Sequence, residues 1–307
     1  YHLLKIINKT LMSIEGSITA LVTPMNEKGD LDYNSLEKLI NFQIDSGISG
    51  LVAVGTTGES ATIDFEDHIK LIEFFIRISN GRVHIIAGTG ANSTEEALQL
   101  TREAKNLGAD AALLVSPYYN KPPQEGIYRH HAKIADEVDI PQILYNVPSR
   151  TASFIEPETV QRLSSHQNIM GIKDATGDMK NLSEVLKLCE EDIKGKNFFL
   201  YSGDDFSSLE FLKKGGHGTI SVTSNVVPEI ISEICRLVQS DFSKAKKLDD
   251  QIYNLNQNLF CESNPIPVKW ALHEMGLIKN GIRLPLVELN DLFKKSVKNS
   301  LEELNLI

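Results

Sequence analysis

Gln142-Ile143-Leu144-Tyr145-Asn146, a helical segment over 157–164, and Ile169-Met170-Gly171-Ile172-Lys173 make up one strand, one crossover and a second strand. Both short runs are apolar and rich in β-branched or aromatic side chains, while the segment between them carries its apolar residues at helical spacing. Strands joined through a helix lie parallel, because parallel neighbours need a crossover. Outward from this unit the alternation continues in both directions. Strands are predicted over 17–22, 50–54, 83–87, 111–116, 142–146, 169–173, 198–202 and 218–223, with helices over 33–46, 65–78, 93–107, 124–137, 157–164, 179–189 and 206–213. Eight such units predict an α/β chain folded as a (β/α)8 TIM barrel, whose closed sheet leaves no edge. The competing arrangement is a doubly wound open sheet, which usually has fewer strands and a nucleotide loop at its first turn. Here the first strand runs into Thr23-Pro24 without a glycine-rich fingerprint.

Beyond 223 the pattern turns to helix alone, interrupted at Pro265 and Pro267. The expected organisation is an N-terminal extension over 1–15, a catalytic barrel over 16–227 and a C-terminal helical region over 228–307. Two conspicuous motifs read as structure. Ser93-Thr94-Glu95-Glu96 is a capping box, so Gly88-Thr89-Gly90 before it is a strand-to-helix turn. Gly215-Gly216-His217-Gly218 precedes a strand and falls on the stability face of a barrel.

The chain has 307 residues, with 31 basic against 41 acidic residues and a formal charge of -10. No stripe of Lys or Arg interleaves with aromatics, which reads against a nucleic-acid partner, and an anionic ligand would need local donors inside a cleft. Cys189, Cys235 and Cys261 are dispersed without a CxxC pair, as in a reduced, cytoplasmic protein. No apolar run reaches the roughly 18 to 20 residues of a membrane span.

Active sites of (β/α)8 barrels are built from the C-terminal strand ends. Those ends read Gly55-Thr56-Thr57-Gly58-Glu59, Pro117-Tyr118-Tyr119-Asn120, Tyr145 through Arg150, Lys173-Asp174 and Gly203-Asp204-Asp205. Lys173 is the only lysine at a predicted strand end. A lysine in apolar surroundings can be neutral and attack a carbonyl, although bringing its pKa from about 10.4 to about 7 requires about 4 kcal/mol of differential stabilisation. The plainer alternative is a charged lysine at a solvated strand end. Three tyrosines, Tyr118, Tyr119 and Tyr145, join Thr56 and Thr57 as hydroxyls able to pass protons; singly, each would read as rim packing with a wet tip. The Gly-Thr-Thr-Gly turn can hold a small carboxylate on its amides, and Arg150 a second one bidentately, or a surface ion pair instead. The eight histidines all lie away from these ends, and Asp204-Asp205 alone is a weak signal, so no metal site is expected.

Gly55-Thr56-Thr57-Gly58-Glu59-Ser60, Pro117-Tyr118-Tyr119-Asn120, Tyr145-Asn146-Val147-Pro148-Ser149-Arg150-Thr151, Gly171-Ile172-Lys173, Ser202-Gly203-Asp204-Asp205 and Asn264-Pro265-Ile266-Pro267-Val268-Lys269 together resemble the dihydrodipicolinate synthase (4-hydroxy-tetrahydrodipicolinate synthase) family, from about residue 16 to the C-terminus. The resemblance implies a lyase that condenses pyruvate with L-aspartate-4-semialdehyde in the diaminopimelate and lysine pathway. It implies no cofactor. Lys173 would form the Schiff base, Tyr145 would relay protons, and Thr57 would link Tyr145 to Tyr119, which in this family reaches into a neighbouring subunit's site. Thr56 and Thr57 would seat the pyruvate carboxylate, Arg150 the semialdehyde carboxylate, and Gly203 and Ile220 would line the site. A homo-oligomer, usually a dimer of dimers, is implied. Ser60, Ala61, His68, Asn92, Glu96 and Tyr118 match positions of a lysine feedback site, with Phe65 standing where such enzymes often carry histidine. The alternatives are another pyruvate-dependent class I lyase, such as N-acetylneuraminate lyase or a 2-keto-3-deoxy sugar acid aldolase, and a non-catalytic barrel that binds an oxo acid.

Overall fold

The structure, a computed structural model, describes residues 13–307. Its strands are β1 (Gly16–Ala20), β2 (Gly50–Ala53), β3 (His84–Gly88), β4 (Ala111–Val115), β5 (Gln142–Asn146), β6 (Ile169–Asp174), β7 (Phe199–Ser202) and β8 (Gly218–Ser221). Each pairs in parallel with the next, and β8 returns to β1 with Ile220 opposite Ile18, so the sheet closes into the predicted barrel. Between the strands run α1 (Tyr33–Asp45), α2 (Phe65–Ser79), α3 (Thr94–Leu107), α4 (Gln124–Glu137), the single turn α5 (Pro148–Thr151), α6 (Pro157–Ser164), α7 (Met179–Leu188), α8 (Glu190–Lys194) and α9 (Ser208–Lys213). After β8 come α10 (Pro228–Leu237), α11 (Phe242–Gln251), α12 (Tyr253–Asn258), α13 (Ile266–Glu274) and α14 (Asp291–Glu303).

Two-residue periodicity sorts side chains between two packed layers. On β5, Ile143 and Tyr145 belong to the barrel interior with Val52, Ile86, Phe199 and Ile220, whereas Leu144 packs outward with Ile172 and Leu200 beneath the helices. The helices start where the sequence offers caps: Asp32, Asp64, Ser93, Asp178 and Asp241 each accept a hydrogen bond from a first-turn amide.

A register slip sets the parity of β6. Gln142 stands opposite Ile169, but Ile143 stands opposite Gly171, so β6 carries one extra residue. Had the first pairing continued, Ile172 would face Tyr145. With the slip, Lys173 lies between Tyr145 on one side and Tyr201 on the other. Gly171 permits this close approach, since a Cβ there would come within 2.4 Å of the Phe199 carbonyl oxygen.

Two boundaries differ from the sequence-based expectation. Residues 1–12 of the expected extension lie outside the described residues, and Ile14 is fully buried in the barrel interior rather than part of an extension. α10 packs on β1 and α9, completing the ring of helices past the expected barrel limit at 227. Among the described residues no helix is long and apolar enough to cross a membrane.

Candidate active site

Lys173 leaves β6 on its inner face and is only 5% exposed. Its Nζ lies 4.3 Å from the centre of the Tyr145 ring, one strand away. Burial is the main force on its protonation; opposed by Asp205 and helped by the Arg150 guanidinium, it lowers the ammonium pKa from the usual 10.5 to about 8. Space for the lysine stem comes from Gly203, where a Cβ would sit 2.7 Å from Lys173 Cε and 2.9 Å from the Ala175 methyl group. Burial raises the Tyr145 phenol, while Arg150 and a hydrogen bond with the Thr56 side chain lower it.

The chain enters the Gly-Thr-Thr-Gly turn through Val54, whose φ of 54° is unusual for a β-branched residue. Inside the turn the amides of Gly58 and Ser60 donate to the Gly55 carbonyl and that of Glu59 to the Thr56 carbonyl. The amides of Thr56 and Thr57 have no acceptor within the turn and remain available to an anion. Thr57, 3% exposed, accepts a hydrogen bond from Asn264 Nδ2 at 2.9 Å. Asn264 also accepts one on its carbonyl oxygen from Arg150 Nη2 at 3.0 Å, so it ties the Thr57 turn to α5. Below the turn, Glu59 forms a buried ion pair with Lys269 of α13 and accepts from the Arg283 amide at 3.0 Å.

Lys173, Tyr145, Gly203 and Ile220 thus share the interior end of the barrel, with Thr56, Thr57 and Arg150 above them. The hydrogen-bond partner of the Thr57 side chain is Asn264. Tyr119 is not brought into the site of its own chain. It is 89% exposed with φ 75°, on a loop held by Asn120 Nδ2 donating to the Asn92 carbonyl and Asn92 Nδ2 donating to that of Tyr118.

A cavity of about 490 Å³ opens beside this end of the barrel, lined among others by Thr56, Ser60, Ala61, Phe65, His68, Glu96, Tyr118, Arg150 and Asn264. The residues expected to bind lysine, Asn92 excepted, therefore share a cavity with two expected to bind substrate. His68 is held by Nε2 against the Gly88 carbonyl at 2.8 Å, and burial lowers its pKa. A second cavity, of about 900 Å³, lies at the opposite barrel end beside Ser17 and α10, away from these groups. Asp204 and Asp205 diverge: Asp204 accepts from the Ser207 amide and hydroxyl, while Asp205 turns into the protein. Sequence reasoning gave Asn264 no role of its own; its only signal was the proline-flanked motif, because its partner Thr57 is 207 residues away.

Residues 13–304 match the model of the dihydrodipicolinate synthetase family. The chain belongs to this family. It is similar to the 4-hydroxy-tetrahydrodipicolinate synthase of Pseudomonas aeruginosa, at 54% identity over 278 residues, 90% of this chain and 94% of that one. Among solved structures it resembles the chloride-inhibited dihydrodipicolinate synthase of Acinetobacter baumannii complexed with pyruvate. That likeness has a TM-score of 0.92 at 51% identity and covers 96% of this chain and 100% of the other. It also resembles the family enzyme of Cyanidioschyzon merolae with lysine bound, with a TM-score of 0.91 at 34% identity, covering 96% and 99%.

Proposed function

We propose that the protein is a 4-hydroxy-tetrahydrodipicolinate synthase that condenses pyruvate with L-aspartate-4-semialdehyde. The observation that carries the reading is Lys173, buried on the inner face of β6 against Tyr145 with its pKa lowered to about 8. At that value roughly a tenth of the amine is neutral at pH 7. The amine adds to C2 of pyruvate, and loss of water leaves an iminium. Loss of a C3 proton gives the enamine, whose C3 bonds to the aldehyde carbon while the resulting alkoxide takes up a proton. The semialdehyde's amine then attacks C2, closes the ring and expels the Lys173 amine, so that one water is released overall. Tyr145, beside Lys173, would relay the protons, with Thr57 linking it to Tyr119. We assign the pyruvate carboxylate to the Thr56 and Thr57 amides and hydroxyls, the semialdehyde carboxylate to Arg150, and the walls to Gly203 and Ile220.

The exposure of Tyr119 supports its entry into a neighbouring subunit's site within a homo-oligomer, which we take to be a dimer of dimers. The cavity lined by Ser60, Ala61, His68, Glu96 and Tyr118, with Asn92 holding the Tyr118 carbonyl, is our candidate for lysine feedback. His68 with Glu96 in this cavity is the ground for weak or moderate inhibition, with Phe65 where such enzymes often carry histidine, and initial rates indifferent to millimolar-range L-lysine would remove that assignment. The three cysteines are free thiols, in keeping with a proposed cytoplasmic setting. We keep the division into a catalytic barrel over 16–227 and a helical region over 228–307 as a functional proposal, with α10 structurally part of the ring.

The test is borohydride reduction in the presence of pyruvate. A reduced pyruvate adduct is expected on the peptide containing Lys173, and its absence at saturating pyruvate sinks the mechanism. Semialdehyde turnover set against cleavage of N-acetylneuraminate and 2-keto-3-deoxy acids then fixes the second substrate.

A further inference from the structure

Two left-handed residues bracket the Gly55-Thr56-Thr57-Gly58 turn: Val54 at its entry, with φ 54°, and Glu59 at its exit, with φ 61°. Of the described non-glycine residues with positive φ, Val54 alone is β-branched, the class of side chain for which that region is most crowded. Such a conformation persists only where the surroundings over-determine it. Here they do. The Val54 side chain is fully buried, in an apolar cluster with Leu21, Ala53 and Ile63. Its carbonyl runs past Gly88 at the end of β3, where a Cβ would come within 2.4 Å of that oxygen and 2.9 Å of Gly55 Cα. Gly58 folds back over it, since a Cβ there would lie 3.1 Å from Val54 Cα. The exit is anchored separately: the Thr23 hydroxyl donates to the Gly58 carbonyl at 2.7 Å, and the Glu59 carboxylate is held by Lys269 and the Arg283 amide. With the exit fixed, the torsion at Val54 sets the direction in which the Thr56 and Thr57 amides point.

We propose that Val54 is a positioning residue for the pyruvate carboxylate: locked in a left-handed conformation by its buried side chain, with Gly88 making room, it aims the Thr56 and Thr57 amides before the anion arrives. The proposal rests on the assignment of that carboxylate to the Gly-Thr-Thr-Gly turn and deepens it. A turn already held in its binding conformation leaves pyruvate less torsional freedom to remove on binding. A glycine at this position would adopt the same φ without strain, but nothing would hold it there. An alanine keeps a Cβ that disfavours the left-handed region and loses the packing that enforces it, so the turn relaxes toward an ordinary φ.

The experiment measures borohydride trapping on the Lys173 peptide as a function of pyruvate concentration and of pH. In the wild type the rate should rise with pH through a midpoint near the Lys173 pKa of about 8. Val54→Ala should raise half-saturating pyruvate about tenfold, with the midpoint and the saturated rate unchanged. Val54→Gly should raise it only about threefold, because the left-handed φ stays open to glycine. A role in packing alone gives the opposite order, since glycine removes more buried carbon than alanine does. Acetone, a ketone without a carboxylate, should be trapped by both variants at the half-saturation of the wild type. Gly88→Ala, whose Cβ presses on the Val54 carbonyl, serves if Val54→Ala does not fold; it too should weaken pyruvate about tenfold and leave acetone alone. An effect of glycine at position 54 equal to or larger than that of alanine, an equal weakening toward acetone, or a displaced midpoint overturns the proposal. Wild-type half-saturation no lower for pyruvate than for acetone overturns the carboxylate assignment beneath it, and no adduct on wild-type Lys173 overturns the Schiff-base reading.

Discussion

At the scale of single residues, burying Lys173 costs stability that the reaction needs. In the unfolded chain its pKa returns to about 10.4, while in the fold it is about 8. Below pH 8 both states hold the proton, and the fold bears the whole cost of a buried ammonium. Between about 8 and 10.4 the unfolded state binds more protons, so stability rises with pH across that window. The difference amounts to about 3 kcal/mol. Lys173→Met should therefore abolish trapping of pyruvate while stabilising the protein at pH 7 by up to about that amount, with the gain mostly gone by pH 10.5. Urea unfolding at the two pH values checks this, and an equal gain at both would mean that packing rather than charge is responsible. Gly203→Ala tests the same lysine from the other side. Its Cβ would meet Lys173 Cε at 2.7 Å, so trapping should fall at least tenfold through displacement of the amine, with a near-wild-type circular dichroism spectrum. Trapping at the wild-type rate would show that the stem has room to move.

Among elements, strands were legible because each is a short apolar run with a helix on either side, and β6 and β7 could be placed to within a residue. The β6 slip was not legible, since register depends on contacts across strands and leaves no mark in the local pattern. Lys173 thus stood out by position at a strand end, but its facing Tyr145 did not follow from the pattern. α5 was also missed: four residues are too few to show a period, yet this turn carries Arg150. On α4 the histidines His130 and His131, read only as lying outside the site, meet edge to face within the protein. Burial lowers the pKa of His130 to about 4, and that of fully buried His131 well below its usual value. Unfolded histidine titrates near 6.5, so at pH 7 both states are neutral. As pH falls from about 6.5 toward 4, the unfolded chain takes up protons that the fold refuses, and stability declines by about 3 kcal/mol for His130 alone. His130→Asn retains a partner for Thr94 Oγ1, which His130 Nδ1 meets at 2.9 Å, and cannot titrate. Its melting temperature should fall less steeply than the wild type's between pH 6.5 and 4, and parallel curves would acquit this residue of the acid sensitivity.

Over the whole molecule, the C-terminal helices hold the site as well as flank the barrel. Asn264 reaches Thr57 across 207 positions of sequence, and Lys269 of α13 reaches Glu59 across 210. Separations of that size leave no trace in a local pattern, which is why the site's strand ends could be read and its C-terminal supports could not. The Glu59 side chain is fully enclosed, its two oxygens taken by Lys269 Nζ and the Arg283 amide, and it follows directly on the turn that presents Thr56 and Thr57. Removing one member of such a pair strands the other charge, at a cost of about 3 to 5 kcal/mol, whereas removing both charges costs much less. Lys269→Met should therefore destabilise the protein strongly, and Lys269→Met combined with Glu59→Gln should recover a large part of the loss in urea unfolding. Stability and chemistry should also separate in the double variant. With the charge problem relieved but the tether to α13 gone, the Thr56-Thr57 turn is less well held, and half-saturating pyruvate in the trapping assay should rise several-fold while the pH midpoint set by Lys173 stays in place. If the double variant binds pyruvate as the wild type does, α13 is a support for the fold alone; if the midpoint moves as well, the pair acts on the Lys173 charge and not on the turn.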